Sequence, residues 1–311
     1  MQKLIEGLLE GQKRSCARLI SIVENEEVGY EDVLKQIYKH TGGAYVIGIT
    51  GPPGAGKSTL TDKLAKILKD QGKKIGILAI DPTSPFTKGA ILGDRIRMND
   101  LSTDKNVFIR SMGTRGSLGG LSSATSSAIK ILDAYGCDYI FIETVGVGQS
   151  EIDIVKTSDT TLMVMVPGLG DDIQAIKAGV MEIADVFVIN KADKDGAKKT
   201  SLEIEMMLDF KKDWGFRPPV SLASAEKIEG IEKVIENINK HRQYLNTSGE
   251  INRRRINNAK LEVKELVHRK INKLVVEIED SENMDELLNK TITKEIDPYT
   301  IGETIFKSVI K

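Results

Sequence analysis

The chain has 311 residues, which suits about two compact units better than one. Its 40% apolar and 29% charged content supports a sizeable core and excludes wholesale disorder. A formal net charge of −1 argues against a general electrostatic hold on nucleic acid or on an acidic membrane, so neither is expected as a partner.

Two cysteines, Cys16 and Cys137, stand far apart without metal-type spacing and read as small buried apolar residues. A chain so poor in disulfide candidates suits a reducing cytoplasm, the expected location. The opening MQKLIEGLLEGQKRSCARLIS is interrupted by charge too often for a signal segment. No apolar run approaches the ~20 residues that span a bilayer.

In chain order, residues 3–24 set Leu4, Leu8, Leu9, Ala17, Ile20 and Ile22 among charges, the pattern of an amphipathic helix. Tyr30 to His40 gives a second helix, broken by Thr41-Gly42-Gly43. Short apolar runs then alternate with helical stretches. Strands are expected at Tyr45–Thr50, Lys74–Ile80, Val107–Met112, Tyr139–Glu143, Thr161–Val166, Val186–Asn190 and Val220–Ala223. Helices are expected at Lys57–Asp70, Leu121–Tyr135 and about Asp172–Ile183, with stops at Gly72 and Gly136. Strands separated by helices imply an α/β fold with a mostly parallel central sheet covered by helices on both faces. Past Leu245 the character changes. Residues 251–273 carry eight Lys/Arg against two Glu, and residues 277–286 carry six acids. Such blocks form solvated helix faces or a helical arm that packs on a second subunit or a partner. The expected division is an N-terminal helical extension over 1–41, a nucleotide-binding domain over 42–247 and a C-terminal helical arm over 248–311.

The chemistry is concentrated in four segments. The first, Gly51-Pro52-Pro53-Gly54-Ala55-Gly56-Lys57-Ser58, fits G-x-x-x-x-G-K-[ST] between a strand and a helix. Its glycines let main-chain N–H groups crowd around phosphate oxygens, and the helix N-terminus adds donors and partial positive charge. Lys57 would reach the β- and γ-phosphates, and the Ser58 hydroxyl would bind Mg²⁺. In the second segment Asp81 ends a strand, with Pro82 blocking further pairing. Asp81 and Glu143 both fall at carboxyl ends of strands, where open α/β sheets bind ligands, and either carboxylate can hold Mg²⁺ directly or through water. The stretch after Asp81 reads as a loop that orders around a γ-phosphate.

The third segment, Glu143-Thr144-Val145-Gly146, stands in place of the usual Asp-x-x-Gly, and the Gly146 N–H would bond the γ-phosphate. Val147 occupies the position where Ras-type GTPases carry a water-orienting Gln. Slow intrinsic hydrolysis, accelerated by a partner, is therefore expected, with Gln149, Asp94 and Arg95 the nearest candidates to complete the site. The fourth segment, Asn190-Lys191-Ala192-Asp193, reads the base. Its aspartate accepts two hydrogen bonds from guanine, and adenine offers no such donor pair. The Lys191 stem would lie along the base, and Ser224-Ala225 would support guanine O6 through a main-chain N–H. His40, His241 and His268 are dispersed and read as surface or internally satisfied side chains. Trp214 with Phe216 is expected to anchor a helix end.

The phosphate loop, ETVGVGQSE at 143–151 and PGLGDDIQAIKAG at 167–179 together resemble the MeaB/ArgK/MMAA family of P-loop GTPases. DPTSPFTKGAILGDRIRM at 81–98, SMGTRGSLGGLS at 111–122 and EIADVFVINKAD at 182–193 add to the resemblance. It implies the fold of the metal-insertion GTPases and the role of a GTPase chaperone of an adenosylcobalamin-dependent mutase, chiefly methylmalonyl-CoA mutase. Such chaperones gate cofactor loading and protect the mutase, usually as homodimers joined through C-terminal helices. It further implies that GTP or GDP is held with Mg²⁺ by Gly54, Gly56, Lys57, Ser58 and Thr59. Asp81, Asp94 and Glu143 would serve as metal or switch residues, and Asn190, Lys191, Asp193, Ser224 and Ala225 would hold guanine. Asp171, Asp172 and Lys177 would lie on a switch facing the mutase. The Cys/His cluster of the metal-insertion relatives and the Asp-x-His-x-x-Gly motif of cobalamin carriers do not occur in the sequence. Two competing readings are an ATP-dependent kinase of a lysine/arginine/ornithine transport system and a nucleotide-dependent scaffold without useful turnover. The guanine-reading aspartate weighs against the kinase.

Overall fold

The computed structural model describes residues 1–81, 99–113, 123–144, 154–168, 183–279 and 288–310. They fall into two compact units, Met1–Ile251 and Asn252–Lys311.

The first unit is built on seven strands: β1 (Tyr45–Thr50), β2 (Ile75–Asp81), β3 (Val107–Gly113), β4 (Tyr139–Thr144), β5 (Thr160–Met165), β6 (Val186–Ile189) and β7 (Val220–Leu222). They pair side by side in the order β3-β2-β4-β1-β5-β6-β7, and every described pairing is parallel. β1, β4 and β5 are buried along their whole length, which is why they read as unbroken apolar runs rather than alternating ones.

Helices cover both faces. On one face, α4 (Lys57–Asp70) and α8 (Ile231–Ser248) place Leu60, Leu64, Val234 and Ile238 against Ile47, Ile49 and Phe141. On the other, α1 (Gln2–Leu9), α2 (Lys13–Glu24), α3 (Tyr30–Ile37) and α6 (Ser123–Ala134) pack Leu8, Leu19, Ile37 and Ile131 against Leu78, Ile80 and Ile140. A short α5 (Asn99–Ser102) precedes β3, and α7 (Ala197–Asp209) packs Ile204 and Leu208 beside Phe187 and Met163.

The first 24 residues form two helices where periodicity reads as one. Gly11 adopts φ +80°, and the Gln12 N–H turns back to Gly7 O at 2.8 Å, so the chain reverses. The helices then approach so closely that a Cβ on Gly7 would lie 2.4 Å from Ser15 Oγ. Trp214 does secure a helix end, since its indole N–H donates to Leu208 O at 3.0 Å near the end of α7. His241 is buried and satisfied, with Nδ1 at 2.8 Å from Thr160 Oγ1 and Nε2 at 3.3 Å from Asp185 Oδ1. Both cysteines are buried and free, and burial first of all pushes the Cys137 thiol up to about 12.

The second unit contains nearly all of α9 (Glu250–Glu279), together with α10 (Pro298–Ile310). The short apolar run at Leu274–Val276 lies inside α9. Among the described residues no helix is long and apolar enough to cross a membrane.

Candidate functional site

The loop between β1 and α4 follows from its glycines. Gly51, Gly54 and Gly56 have φ of +138°, +74° and +82°. At Gly51 the constraint is also one of space, because a Cβ would lie 2.0 Å from Val164 O on the neighbouring strand β5. Gly56 is the N-cap of α4 and contributes no side-chain cap, so the first-turn N–H groups face the loop with their partial positive charge. This arrangement is an anion cradle of the kind that takes a phosphate. Lys57 is buried and its ammonium arches over the loop, donating to Gly51 O at 2.8 Å and Pro52 O at 3.0 Å. Pro53, Gly54 and Thr59 are exposed around the rim, and Ala55 is fully buried beneath it.

β4 runs between β1 and β2 and carries Glu143 to the same end of the sheet. The buried Glu143 carboxylate accepts a short hydrogen bond from Ser58 Oγ and a longer one, 3.4 Å, from Thr61 Oγ1. Thr61 also donates to Lys57 O at 2.9 Å. The next residues of β4 and β1 meet through Thr144 Oγ1 and Thr50 Oγ1, 3.3 Å apart. Hydroxyl and carboxylate oxygens brought together beside a phosphate cradle are hard donors that suit Mg²⁺. Among the described residues there is no cluster of three or more His, Cys, Asp or Glu. A cation here would therefore complete its coordination with phosphate and water.

The segment expected to read the base follows β6. Asn190 is buried and joins three main-chain groups: Nδ2 donates to Ala55 O at 2.8 Å and Gly56 O at 3.4 Å, and Oδ1 accepts from the Ala225 N–H at 3.0 Å. One amide thus ties the phosphate loop to the loop after β7. Lys191, at φ +56°, stretches across to Gly54 O at 2.8 Å. Asp193 Oδ1 accepts from Ser224 Oγ at 2.7 Å, and Lys227 lies 3.6 Å from its other oxygen. The Ser224 hydroxyl, more than any other contact, holds this carboxyl below the usual 3.8. The Ser224 and Ala225 N–H groups are committed to Glu229 O and Asn190 Oδ1, so these residues buttress the acid and the amide.

Of the residues singled out in the sequence, Gly51 to Thr59, Glu143, Asn190, Lys191, Asp193, Ser224 and Ala225 gather around this one end of the sheet. Asp81 ends β2 opposite Gly113 of β3. Asp94, Arg95, Gly146, Val147, Gln149, Asp171, Asp172 and Lys177 lie outside the described residues. Thr61, Thr50, Thr144 and Lys227 are additions. Only Thr61 carried a usable signal, standing one helical turn beyond Ser58 and so on the same face.

Known proteins share this construction. A crystal structure titled LAO/AO transport system kinase superposes with a TM-score of 0.74 at 25% identity, covering 100% of this chain and 97% of its own. The HypB protein of Helicobacter pylori, in complex with nickel, shares the fold at a TM-score of 0.51 and 19% identity, over 72% of this chain and 95% of its own. In sequence, a Pyrococcus abyssi protein is 53% identical over 315 residues, covering 100% of this chain and 97% of its own. The GTPase ArgK of Escherichia coli is 35% identical over 257 residues, 79% of this chain and 77% of its own. A mouse protein named methylmalonic aciduria type A homolog, mitochondrial, is 34% identical over 270 residues, 81% of this chain and 65% of its own. The family described as methylmalonyl-CoA mutase-associated GTPase MeaB matches residues 16–280. A P-loop GTPase fold, a phosphate cradle tied through Asn190 to the segment that carries Asp193, and a match over most of the chain lead to one conclusion: this protein belongs to the MeaB family of GTPases.

Proposed function

We propose that the protein is a GTP-hydrolysing, Mg²⁺-dependent chaperone that gates cofactor loading into an adenosylcobalamin-dependent mutase of the methylmalonyl-CoA mutase type and protects it. The observation that carries this reading is the Asn190 amide. By bonding both the phosphate loop and Ala225, it supports a reading in which base recognition and phosphate grip share one pocket. The mutase as partner is supported by the family description and by the name of the mouse relative. Gly51 to Thr59, with Lys57 at the centre, would hold the phosphates, while Ser58, Glu143 and Asp81 would supply oxygens to Mg²⁺. Asp193 would pair with the guanine edge. Bound Mg²⁺ would neutralise charge on the γ-phosphate as water attacks it. Gly146, Asp94 and Gln149 are proposed around the γ-phosphate, and Asp171, Asp172 and Lys177 on the surface that meets the mutase. A homodimer formed through the C-terminal arm is part of the same reading.

The test is to mix the protein with a purified adenosylcobalamin-dependent mutase under GDP and under a non-hydrolysable GTP analogue, and to follow complex formation and phosphate release. A complex whose strength depends on the nucleotide, with faster phosphate release when the mutase is present, is expected. Equal turnover with and without mutase, and no complex in either state, would sink the chaperone reading while leaving the GTPase intact. The kinase title of one structural neighbour raises the transport-kinase alternative. It requires ATP to displace bound GDP as well as GTP does, an outcome that the Asp193 carboxylate opposes.

A further inference from the structure

β3 is an edge strand: among the described residues it pairs with β2 alone. A cavity of about 570 Å³ runs along it, between α2 and α5. Its lining combines the apolar Ala17, Val107, Phe108 and Ile109 with the cations Lys13, Arg14 and Arg110. No acid is among the described residues that line it.

The three cations differ in how they are held. Arg110 reaches Glu24 at 2.6 Å through one nitrogen, yet its Nε is buried without a hydrogen-bond partner. Lys13 donates to the carbonyl of Asp104, just ahead of β3. Burial holds its ammonium below the usual value even with the Asp104 carboxylate nearby, so a further carboxylate arriving there would be favoured. Arg14 is exposed and makes no hydrogen bond or ion pair among the described residues. An edge strand offers a row of main-chain donors and acceptors, and an extended peptide satisfies them by adding a strand. The surrounding charge selects which peptide.

We propose that the β3 edge is a docking site for an extended acidic segment of a partner protein, added as an eighth strand with its carboxylates on Lys13, Arg14 and Arg110. The proposal does not rest on the mutase reading. Lysines and arginines also blunt sheet edges against unwanted pairing, and the experiment separates the two roles.

The probe is a labelled seven-residue peptide of alternating glutamate and valine, matched to the length of β3 and followed by fluorescence anisotropy with the full chain. Saturable binding is expected, weakening with salt, together with slowed amide exchange at Val107 to Arg110. Arg14→Glu should weaken it about tenfold and let a lysine–valine peptide bind instead, with GTP hydrolysis unchanged as the sign of an intact fold. Arg14→Gln should give an intermediate loss. The proposal is overturned if the peptide does not saturate, if R14E binds it as well as the parent, or if a version N-methylated at alternate residues binds equally. Equal competition by citrate would also overturn it, reducing the groove to a general anion site.

Discussion

Single atoms decide the site. In the proposed pocket Asp193 would work only as a carboxylate, and the Ser224 hydroxyl holds its pKa below 3.8. A depressed value means that the ionised form, and the stability it brings, is complete above the unfolded pKa and lost as pH falls through the folded one. Preference for GTP over ATP should therefore stay flat from neutral pH down to about pH 5. Ser224→Ala should raise the Asp193 pKa, read by NMR titration, and bring the loss of preference to higher pH. Asp193→Asn places an amide donor where guanine needs an acceptor, so competition against labelled GDP should shift about tenfold or more towards xanthine nucleotides. An unchanged preference would remove this aspartate from the base pocket. Gly51 tests the cradle: Ala there meets both a φ of +138° and a 2.0 Å approach to Val164 O. It should cost about 3 kcal/mol or more in denaturant unfolding, a scale reached only by gross steric conflict.

At the scale of elements, the strands were legible because a parallel sheet buried on both faces needs continuous apolar runs, and YVIGIT and YIFIET are such runs. Boundaries moved by about a residue, as the ends of elements usually do. α7 was not legible. Its buried face is Ala197, Thr200, Ile204 and Leu208, while Leu202, Met206 and Phe210 are exposed, so the apolar contrast that marks a helix is blurred. The motif residues of the site were legible through spacing. The Asn190 bridge and the Ser58–Glu143 contact were not, because they join segments that are distant in the chain. Also hidden was a repeated device at the strand starts. Asp138, just before β4, accepts from the Lys74 N–H next to β2; Asp159, before β5, accepts from Val46 of β1; Asp185, before β6, accepts from Thr161 of β5. Each acid satisfies the first donors of the adjacent strand and so fixes its neighbour's register. Asp159→Ala leaves the Val46 N–H buried and unpaired, which should destabilise the protein by about 1–3 kcal/mol in urea unfolding. A loss near zero would show that water replaces the carboxylate there.

For the whole molecule, the distribution of apolar surface separates the two units. The first packs most of its large apolar residues into three clusters built around one sheet, and the ones it exposes, such as Val28 and Ile228, are scattered. The second leaves Ile256, Val263, Val267, Ile271 and Leu274 of α9 exposed, with Val263 at 59% and Val267 at 50%. Their spacing of seven, four, four and three residues keeps them on one stripe of the helix, the pattern of a coiled-coil seam. A contiguous stripe of this kind is rare on a monomer, and surfaces like it are usually covered by a partner. Pairing with the same stripe of a second copy would bury it symmetrically, as two-fold dimers do. These residues are about half exposed, so pairing gains roughly half of the 1.5–3 kcal/mol of full burial for each, and the whole stripe from both copies is needed to offset the cost of association. Sedimentation should therefore report a dimer. Val267→Glu, a charge placed in the middle of the seam, should convert it to a monomer whose GTP hydrolysis is retained, because every residue of the nucleotide site lies in the first unit. A parent protein that sediments as a monomer would disprove the seam, and a V267E variant that remains dimeric would move the contact to another surface.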